Sequence, residues 1–230
     1  MMKYKAILFD LDGTLLDTLK DIGNAANRVL LKRNLPVHPV DSYRHFVGDG
    51  VNTLFTRALP ADKINDSLIQ TCMKEFEQEY AITWNDETSL YPGISEMLDL
   101  IRARGLKMSV LSNKPHEFTR YCVEAFFPEW EFDVVQGIHA SIPHKPDPTG
   151  ALAISRRLGI APASFLYLGD TGTDMQTARA AGMFPIGALW GFRSSEELIE
   201  NGAKAVISHP LEIAEFCSRT VADRRDAGMS

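Results

Sequence analysis

Short apolar runs alternate with helical patterns from residue 92 onward, and this alternation restricts the possible folds more than any other feature of the chain. After a predicted helix that ends at Gly105, the runs LKMSVLS, FDVVQGI, SFLYLGD and FPIGAL have the length and composition of strands, and amphipathic segments separate them. Strands that alternate with helices form parallel sheets covered by helices. The sequence therefore predicts an α/β fold with a parallel-sheet, Rossmann-like core and helices on both faces of the sheet.

A long insertion interrupts this pattern near its start. The first strand, which ends at Phe9, is followed by residues 18–84, where apolar residues recur only at the spacings of three and four that are typical of helices. We therefore assign residues 1–15 and 91–230 to the α/β core and residues 16–90 to an inserted all-helical cap. A subdomain joined to the core by two linkers can open and close over a site at the edge of the sheet.

The charge and the apolar runs of the chain argue against several classes of function. A formal net charge of -6 at pH 7 leaves no basic surplus to neutralise a phosphate backbone, so we expect no nucleic-acid partner. No segment approaches the roughly 18 consecutive apolar residues of a membrane span, and the N-terminal apolar stretch is shorter than the roughly 7–15 residues of an export signal. Cys72, Cys122 and Cys217 form no C-x-x-C pair, which predicts reduced thiols. We expect a cytoplasmic protein without a membrane partner, either a monomer or a homodimer.

Polar and charged residues lie at the ends of four predicted strands or in the loops that follow them. In chain order they are Asp10-Leu11-Asp12-Gly13-Thr14, Ser112-Asn113-Lys114, Lys145-Pro146-Asp147, and Gly169-Asp170 followed by Asp174. In open parallel sheets, ligands bind outside the carboxyl ends of the strands. We therefore expect these side chains to meet at one edge of the sheet.

Two aspartates follow the first strand, and their spacing directs both to one site. In extended backbone, residues i and i+2 point the same way, so Asp10 and Asp12 face together while Leu11 turns into the core. A plain strand-to-loop turn uses the same residue types, and Asp174 taken alone fits the start of a helix. With Asp170, however, these residues place four carboxylates at one edge, where a cation must offset their repulsion.

The other groups at this edge indicate the chemistry. Carboxylate oxygens favour a hard cation such as Mg²⁺, which completes its coordination with water and substrate phosphate. The hydroxyl of Ser112, the backbone amides nearby and the ammonium of Lys145 are groups that stabilise a phosphoryl group during transfer. Each residue alone could be part of a turn or a solvated surface, but together they predict a magnesium and phosphate site.

Four segments resemble the ordered motifs of the haloacid dehalogenase-like superfamily. They are DLDGTL, LSNK, HKPDP and GDTGTD, and the resemblance covers nearly the whole chain. Within that superfamily, the segments RHFVGDGVNTLFTRAL, YPGISEMLDLIRARGLKMSVLSNKP and YLGDTGTDMQTARAAGM are most similar to phosphoglycolate phosphatases that carry a helical cap after the first motif.

The resemblance implies a role for each residue that matches a motif. Asp10 resembles the nucleophile that attacks phosphorus and forms an aspartyl-phosphate. Asp12 resembles the general acid that protonates the leaving alkoxide and then, as a base, activates water. Ser112 and the amide of Asn113 resemble the phosphate-binding motif, and Lys145 resembles the cation that steadies nucleophile and phosphate.

The resemblance also implies a metal site. Mg²⁺ would be held by the carboxylates of Asp10 and Asp170 and by the backbone carbonyl oxygen of Asp12. Asp174 would act from outside this ligand set, either through a water molecule or by orienting Lys145.

These features together imply a Mg²⁺-dependent phosphatase that acts on a small phosphorylated metabolite, with 2-phosphoglycolate as the first candidate, through an aspartyl-phosphate intermediate. A pyrophosphatase, a nucleotide or sugar phosphatase, and a phosphomutase similar to β-phosphoglucomutase would keep the same motifs and differ in the cap. A phospho-accepting signalling protein also receives phosphoryl on an aspartate beside Mg²⁺, but such domains are much shorter and have no inserted cap.

Overall fold

The chain divides into two compact units in the computed structural model, which describes residues 3–217. One unit comprises Met1–Leu15 and Tyr91–Ser230, and the other comprises Leu16–Leu90. Residues 1–2 and 218–230, which the sequence assigns to the core, lie outside the described residues. The larger unit contains a six-stranded sheet, and the smaller unit is mainly helical.

The sheet of the larger unit has the strand order of a Rossmann fold. In chain order, the strands of the described residues are β1 (Ala6–Phe9), β2 (Leu16–Asp17), β3 (Ser89–Leu90), β4 (Lys107–Pro115), β5 (Val134–Ile138), β6 (Phe165–Gly169), β7 (Phe184–Ala188) and β8 (Ala205–Ile207). The sheet is ordered β5-β4-β1-β6-β7-β8, and all neighbours are parallel. When only these six strands are counted along the chain, the order is the 3-2-1-4-5-6 of Rossmann folds. The predicted α/β class is confirmed.

The two central strands are buried on both sides. Every residue of β1 and four residues of β6, namely Phe165, Leu166, Tyr167 and Leu168, have an exposed fraction of 0%. Because successive side chains of a strand point to opposite faces, burial of consecutive residues means that both faces of the sheet are covered. This explains why these strands read in the sequence as continuous apolar runs.

Helices follow the strands of the larger unit and form most of the smaller one. In chain order, the α-helices of the described residues are α1 (Leu19–Lys32), α2 (Val51–Ala58), α3 (Asp66–Thr83), α4 (Ile94–Ala103), α5 (His116–Phe126), α6 (Thr149–Leu158), α7 (Gly172–Ala181) and α8 (Ser195–Glu200). α6 and α7 end at Gly159 and Gly182, whose φ angles of 65° and 75° are typical of glycines that end helices. None of the helices within the described residues is both long and apolar enough to cross a bilayer.

The smaller unit is mainly helical, and two short strands at its ends differ from the all-helical insertion that the sequence predicts. Besides α1, α2 and α3, the unit contains the 3₁₀ helices Val40–His45 and Ala61–Lys63. Its first and last residues form β2 and β3, which pair antiparallel with Leu16 opposite Leu90. Two-residue strands are too short to produce an alternating pattern in the sequence.

Asp21, in the first turn of α1, ties the start of the smaller unit to its end. The carboxylate is 2% exposed and accepts hydrogen bonds from the backbone N–H groups of Glu87 and Thr88, at 3.0 and 2.9 Å. It also accepts one from the hydroxyl of Thr88 at 2.7 Å. A buried carboxylate with several donors stabilises the fold because its charge is fully hydrogen-bonded.

The three cysteines are buried and free. Burial raises the pKa of the Cys122 and Cys217 thiols to about 11. These thiols are therefore protonated at neutral pH, and the protonated form is a poor nucleophile.

Candidate active site

Asp10 is the first residue after β1, in the middle of the sheet. Its backbone N–H donates to the carbonyl oxygen of Leu168 in β6 at 2.9 Å. The strand order reverses between β1 and β6, and ligands of such folds bind at this reversal. The Asp10 side chain is buried, and its Oδ1 accepts from the N–H of Leu11 at 2.7 Å and contacts Nζ of Lys145 at 2.8 Å. Asp10 therefore lies where the strand-end argument places it.

Lys145 joins two carboxylates in the interior. Its Nζ lies 2.8 Å from Oδ1 of Asp10 and 2.6 Å from Oδ1 of Asp174, and it donates to the carbonyl oxygen of Leu111 at 3.2 Å. Burial disfavours the ammonium, but the carboxylates of Asp10 and Asp174 outweigh this effect and hold the pKa of Lys145 well above its usual value. Lys145 is therefore a fixed positive charge between the end of β1 and the first turn of α7.

Asn113 holds the backbone of Lys145 with its side chain. Its Oδ1 accepts from the N–H of Lys145 at 2.8 Å, and its Nδ2 donates to the carbonyl oxygen of the same residue at 3.3 Å. The neighbouring Ser112 is 2% exposed, and its Oγ accepts from the N–H of Lys114 at 3.2 Å. The end of β4 therefore fixes the loop that carries Lys145.

Asp174 caps a helix and orients Lys145 at the same time. Its Oδ2 accepts from the N–H and the hydroxyl of Thr171 at 3.1 and 2.7 Å, which completes a capping box at the start of α7. Its Oδ1 accepts from Nζ of Lys145 at 2.6 Å and from the hydroxyl of Tyr167 at 3.3 Å. The sequence presents a helix cap and a site residue as alternatives, whereas the structure contains the contacts of both.

Asp170 follows β6 and is fixed by donors from two loops. The hydroxyl of Thr14 donates to Oδ1 at 2.8 Å, and the N–H of Phe192 donates to Oδ2 at 2.9 Å. A Cβ at Gly13 would lie 2.3 Å from Oδ2 of Asp170, and one at Gly191 would lie 2.3 Å from its Cβ. Gly13 also has a φ angle of 87°, which favours glycine. Both loops therefore need glycine to approach this carboxylate.

Asp12 contacts a different lysine from Asp10. Its Oδ1 lies 2.7 Å from Nζ of Lys114, and Leu11 between the two aspartates is fully buried, as the two-residue spacing predicts. The Asp12 side chain is 14% exposed and that of Lys114 is 6% exposed. The strand ends therefore carry two separate carboxylate–lysine pairs.

Three of the four carboxylates converge. One oxygen of each of Asp10, Asp170 and Asp174 lies within 4.8 Å of the others, and the Asp12 carboxylate is not in this group. Burial, and then the charge of Asp174, raises the pKa of Asp10 well above its ordinary value and that of Asp170 to about 7. Lys145 supplies one positive charge against these three carboxylates. The cluster therefore has the oxygen donors and the excess of negative charge that suit a hard divalent cation.

A family model described as "Haloacid dehalogenase-like hydrolase" matches residues 7–188. The chain belongs to this family of hydrolases. The matched region runs from β1 to the end of β7 and includes every site residue expected from the sequence.

Similar proteins agree with this assignment. A phosphoglycolate phosphatase of Nitrosospira multiformis is 31% identical over 94% of this chain and 96% of its own length, and one of Pseudomonas putida is 30% identical over 93% and 80%. A crystal structure of a Lactobacillus delbrueckii subsp. bulgaricus protein is similar with a TM-score of 0.88 and 30% identity, over 93% of this chain and 98% of that one. This haloacid dehalogenase-like hydrolase is an enzyme of the phosphoric monoester hydrolase class.

Three contacts of the site were not expected from the sequence. Lys114 lies within the segment LSNK, but its pairing with Asp12 joins residues far apart in the chain. The donors to Asp170, the hydroxyl of Thr14 and the N–H of Phe192, also come from distant segments. A lysine directly after the Ser-Asn pair is the only local signal, and it does not identify the partner.

We predict that Asn113→Ala lowers kcat for p-nitrophenyl phosphate by about 10-fold, because two hydrogen bonds of about 1 kcal/mol each no longer fix the backbone of Lys145. Steady-state kinetics of the folded variant measure this loss. Asn52→Ala, at an exposed position of α2, serves as the matched control and should leave kcat unchanged. An unchanged kcat in Asn113→Ala would show that the Asn113 contacts do not position Lys145.

Proposed function

We propose that this hydrolase is a Mg²⁺-dependent phosphatase that cleaves a small phosphate monoester, with 2-phosphoglycolate as the first candidate, through an aspartyl-phosphate intermediate. The buried group of Asp10, Lys145 and Asp170 at the reversal of strand order is the observation that carries the proposal. It combines a carboxylate nucleophile, a fixed cation and a second carboxylate in one place. Asp12 follows Asp10 by two residues, and we assign it to exchange protons with the leaving group.

The first step of the proposed reaction uses Asp10 as the nucleophile. A carboxylate oxygen of Asp10 forms a bond to phosphorus while the bond from phosphorus to the ester oxygen breaks. Asp12 gives its proton to the departing oxygen, so the alcohol leaves neutral. Both described contacts of the Asp10 side chain, from the N–H of Leu11 and from Lys145, are made to Oδ1, and they fix the orientation of the carboxylate.

The second step returns the enzyme to its first state. Asp12, now a carboxylate, takes a proton from water while the water oxygen bonds to phosphorus, and the bond from phosphorus to Asp10 breaks. The products are inorganic phosphate and free Asp10. The ammonium of Lys114, which contacts Oδ1 of Asp12, holds the base in place during this step.

The phosphoryl oxygens require donors, and β4 and the following loop supply them. The hydroxyl of Ser112 and the backbone amide of Asn113 lie at the end of β4, and we assign them to phosphate binding together with Lys145. Because the Oγ of Ser112 accepts from the N–H of Lys114, its own proton can point to an acceptor such as phosphate. Asn113 then has two tasks, with its amide on the phosphate and its side chain on Lys145.

The donor set fits Mg²⁺. We assign the carboxylates of Asp10 and Asp170 and the backbone carbonyl oxygen of Asp12 to the metal, while Asp174 is engaged by Lys145 and Thr171 and acts by orienting Lys145. When bound, the ion would neutralise negative charge that gathers on the carboxylates and the phosphoryl group. The excess of carboxylate over ammonium in this cluster supports the assignment.

The names of two similar proteins support 2-phosphoglycolate as the first candidate substrate. The proteins of Nitrosospira multiformis and Pseudomonas putida carry the name phosphoglycolate phosphatase, and this chain covers most of the length of each. We assign Leu16–Leu90 as a cap that closes over the site during turnover and excludes water from the intermediate.

We predict that Asp10→Asn keeps the fold and lowers turnover of p-nitrophenyl phosphate by about 10³-fold or more, because an amide is a poor nucleophile. Phosphate release and circular dichroism measure the two properties. Asp62→Asn, at an exposed position of the smaller unit, is the control and should retain full activity. Turnover of Asp10→Asn close to the wild-type rate would refute the assignment of the nucleophile.

We predict that EDTA abolishes hydrolysis and that added Mg²⁺ restores it. In the absence of substrate, Mg²⁺ should also raise the unfolding temperature of the wild type, because ligand binding to the folded state stabilises it. Asp170→Asn removes a charged ligand and should show a smaller rise. Activity that is indifferent to the chelator, or equal rises in both proteins, would count against the metal site.

We predict that 2-phosphoglycolate has the highest kcat/KM in a panel that also contains pyrophosphate, nucleoside monophosphates and hexose phosphates. Colorimetric release of phosphate ranks the panel under one set of conditions. A higher value for a nucleotide or a sugar phosphate would replace the proposed substrate and keep the proposed chemistry. A stable phosphoprotein with a single turnover would instead favour a phospho-accepting signalling protein.

A further inference from the structure

Asp12 and Lys114 form the more exposed of the two carboxylate–lysine pairs at the strand ends. Their side chains are 14% and 6% exposed, whereas those of Asp10 and Lys145 are 7% and 3% exposed. If Asp12 protonates the leaving group, as proposed above, the organic part of the substrate lies on the side of this pair. Lys114 is then a cation beside the leaving group.

The geometry of general acid catalysis limits how far Lys114 can be from that leaving group. To receive a proton, the ester oxygen must come within about 2.8 Å of a carboxyl oxygen of Asp12. Nζ of Lys114 lies 2.7 Å from Oδ1 of the same carboxyl group. The ester oxygen and the ammonium therefore both contact one carboxyl group.

In the phosphate ester of a 2-hydroxy acid, the carboxylate is attached to the carbon that carries the ester oxygen. Ordinary bond lengths place its oxygens about 3 Å from that ester oxygen. The Asp12 carboxyl group and one hydrogen bond separate the ester oxygen from Nζ of Lys114 by a comparable distance. A carboxylate at this position is therefore within reach of Lys114 when the ester oxygen is within reach of Asp12.

We propose that Lys114 binds the carboxylate of the substrate and so selects phosphate monoesters of 2-hydroxy acids. The inference rests on the proposed phosphatase function and adds the residue that recognises the charge of the leaving group. The ammonium of Lys114 contacts Oδ1 of Asp12 at 2.7 Å and carries the charge that a carboxylate ligand requires. Its hydrogen bonds to carboxylates are charge-assisted, which makes them stronger than neutral ones.

A purely positioning role for Lys114 makes a different prediction. If the lysine only holds Asp12, its removal slows every substrate whose leaving group needs a proton from Asp12, whether or not the leaving group carries a charge. If it also binds the substrate, its removal slows the charged substrate more. Two substrates that differ only in this charge separate the two roles.

The experiment compares 2-phosphoglycolate with its amide, 2-phosphoglycolamide, in the wild type and in Lys114→Met. The amide keeps the size of the leaving group and removes its negative charge. Lys107→Met is the matched control, because Lys107 lies at the other end of β4, is 57% exposed and pairs with Asp133. Lys114→Gln is measured in parallel and decides the result if Lys114→Met does not fold.

The wild type should have a higher kcat/KM for the acid than for the amide. Lys114→Met should lower kcat/KM for the acid by about 10- to 100-fold more than for the amide, as expected when one charge-assisted hydrogen bond is lost. Lys107→Met should leave both values unchanged.

Three results would overturn the inference. Equal losses for the acid and the amide in an active Lys114 variant would reduce Lys114 to a positioning residue and leave the proposed function intact. A wild type that hydrolyses both esters equally well would also exclude recognition of the carboxylate. A wild type that hydrolyses neither ester nor p-nitrophenyl phosphate would refute the proposed function, and the inference with it.

Discussion

The ammonium of Lys145 connects parts of the chain that are far apart in sequence, and the arrangement of the site depends on it. Its partners are Asp10 after β1 and Asp174 in the first turn of α7. A buried ion pair stabilises a protein only when its members are well hydrogen-bonded, since desolvation is costly. Here Tyr167 and Thr171 donate to Asp174, so the carboxylate that shares Lys145 is fully engaged. Loss of the lysine would leave two buried carboxylates facing each other, which explains why Asn113 fixes its backbone.

Much of the fold could be predicted from the sequence because strand runs and helix ends depend on neighbouring residues. Gly105, with a φ angle of 71°, lies just after the end of α4 as expected, and the convergence of Asp10 and Asp170 follows from the parallel sheet. The partner of Lys114 could not be predicted, because the contact joins residues 102 positions apart. The pairing of β2 with β3 was missed for a related reason, since strands of two residues have no periodicity.

The helical insertion poses a separate physical problem, because the chain must leave the sheet and return to it. Leu16 pairs with Leu90, and Asp21 binds the backbone of Glu87 and Thr88, so the two connections are joined within the insertion itself. A unit whose ends are tied to each other can move without unravelling either connection. In the sequence, Asp21 is recognisable only as a favourable acid in the first turn of a helix. Its role as an acceptor depends on Glu87 and Thr88, which lie 66 and 67 positions further along the chain.

The two carboxylate–lysine pairs differ in what they can distinguish. Asp10 and Lys145 are deeply buried, and in the proposed reaction they face the phosphoryl group, which is the same in every phosphate monoester. Asp12 and Lys114 are more exposed, and in the proposed reaction they face the part of the molecule that differs from one ester to another. The first pair therefore governs whether phosphoryl transfer occurs, and a change there affects all substrates alike. Selectivity must arise where the leaving group makes its contacts, and the proposed mechanism brings Lys114 there through its contact with Asp12.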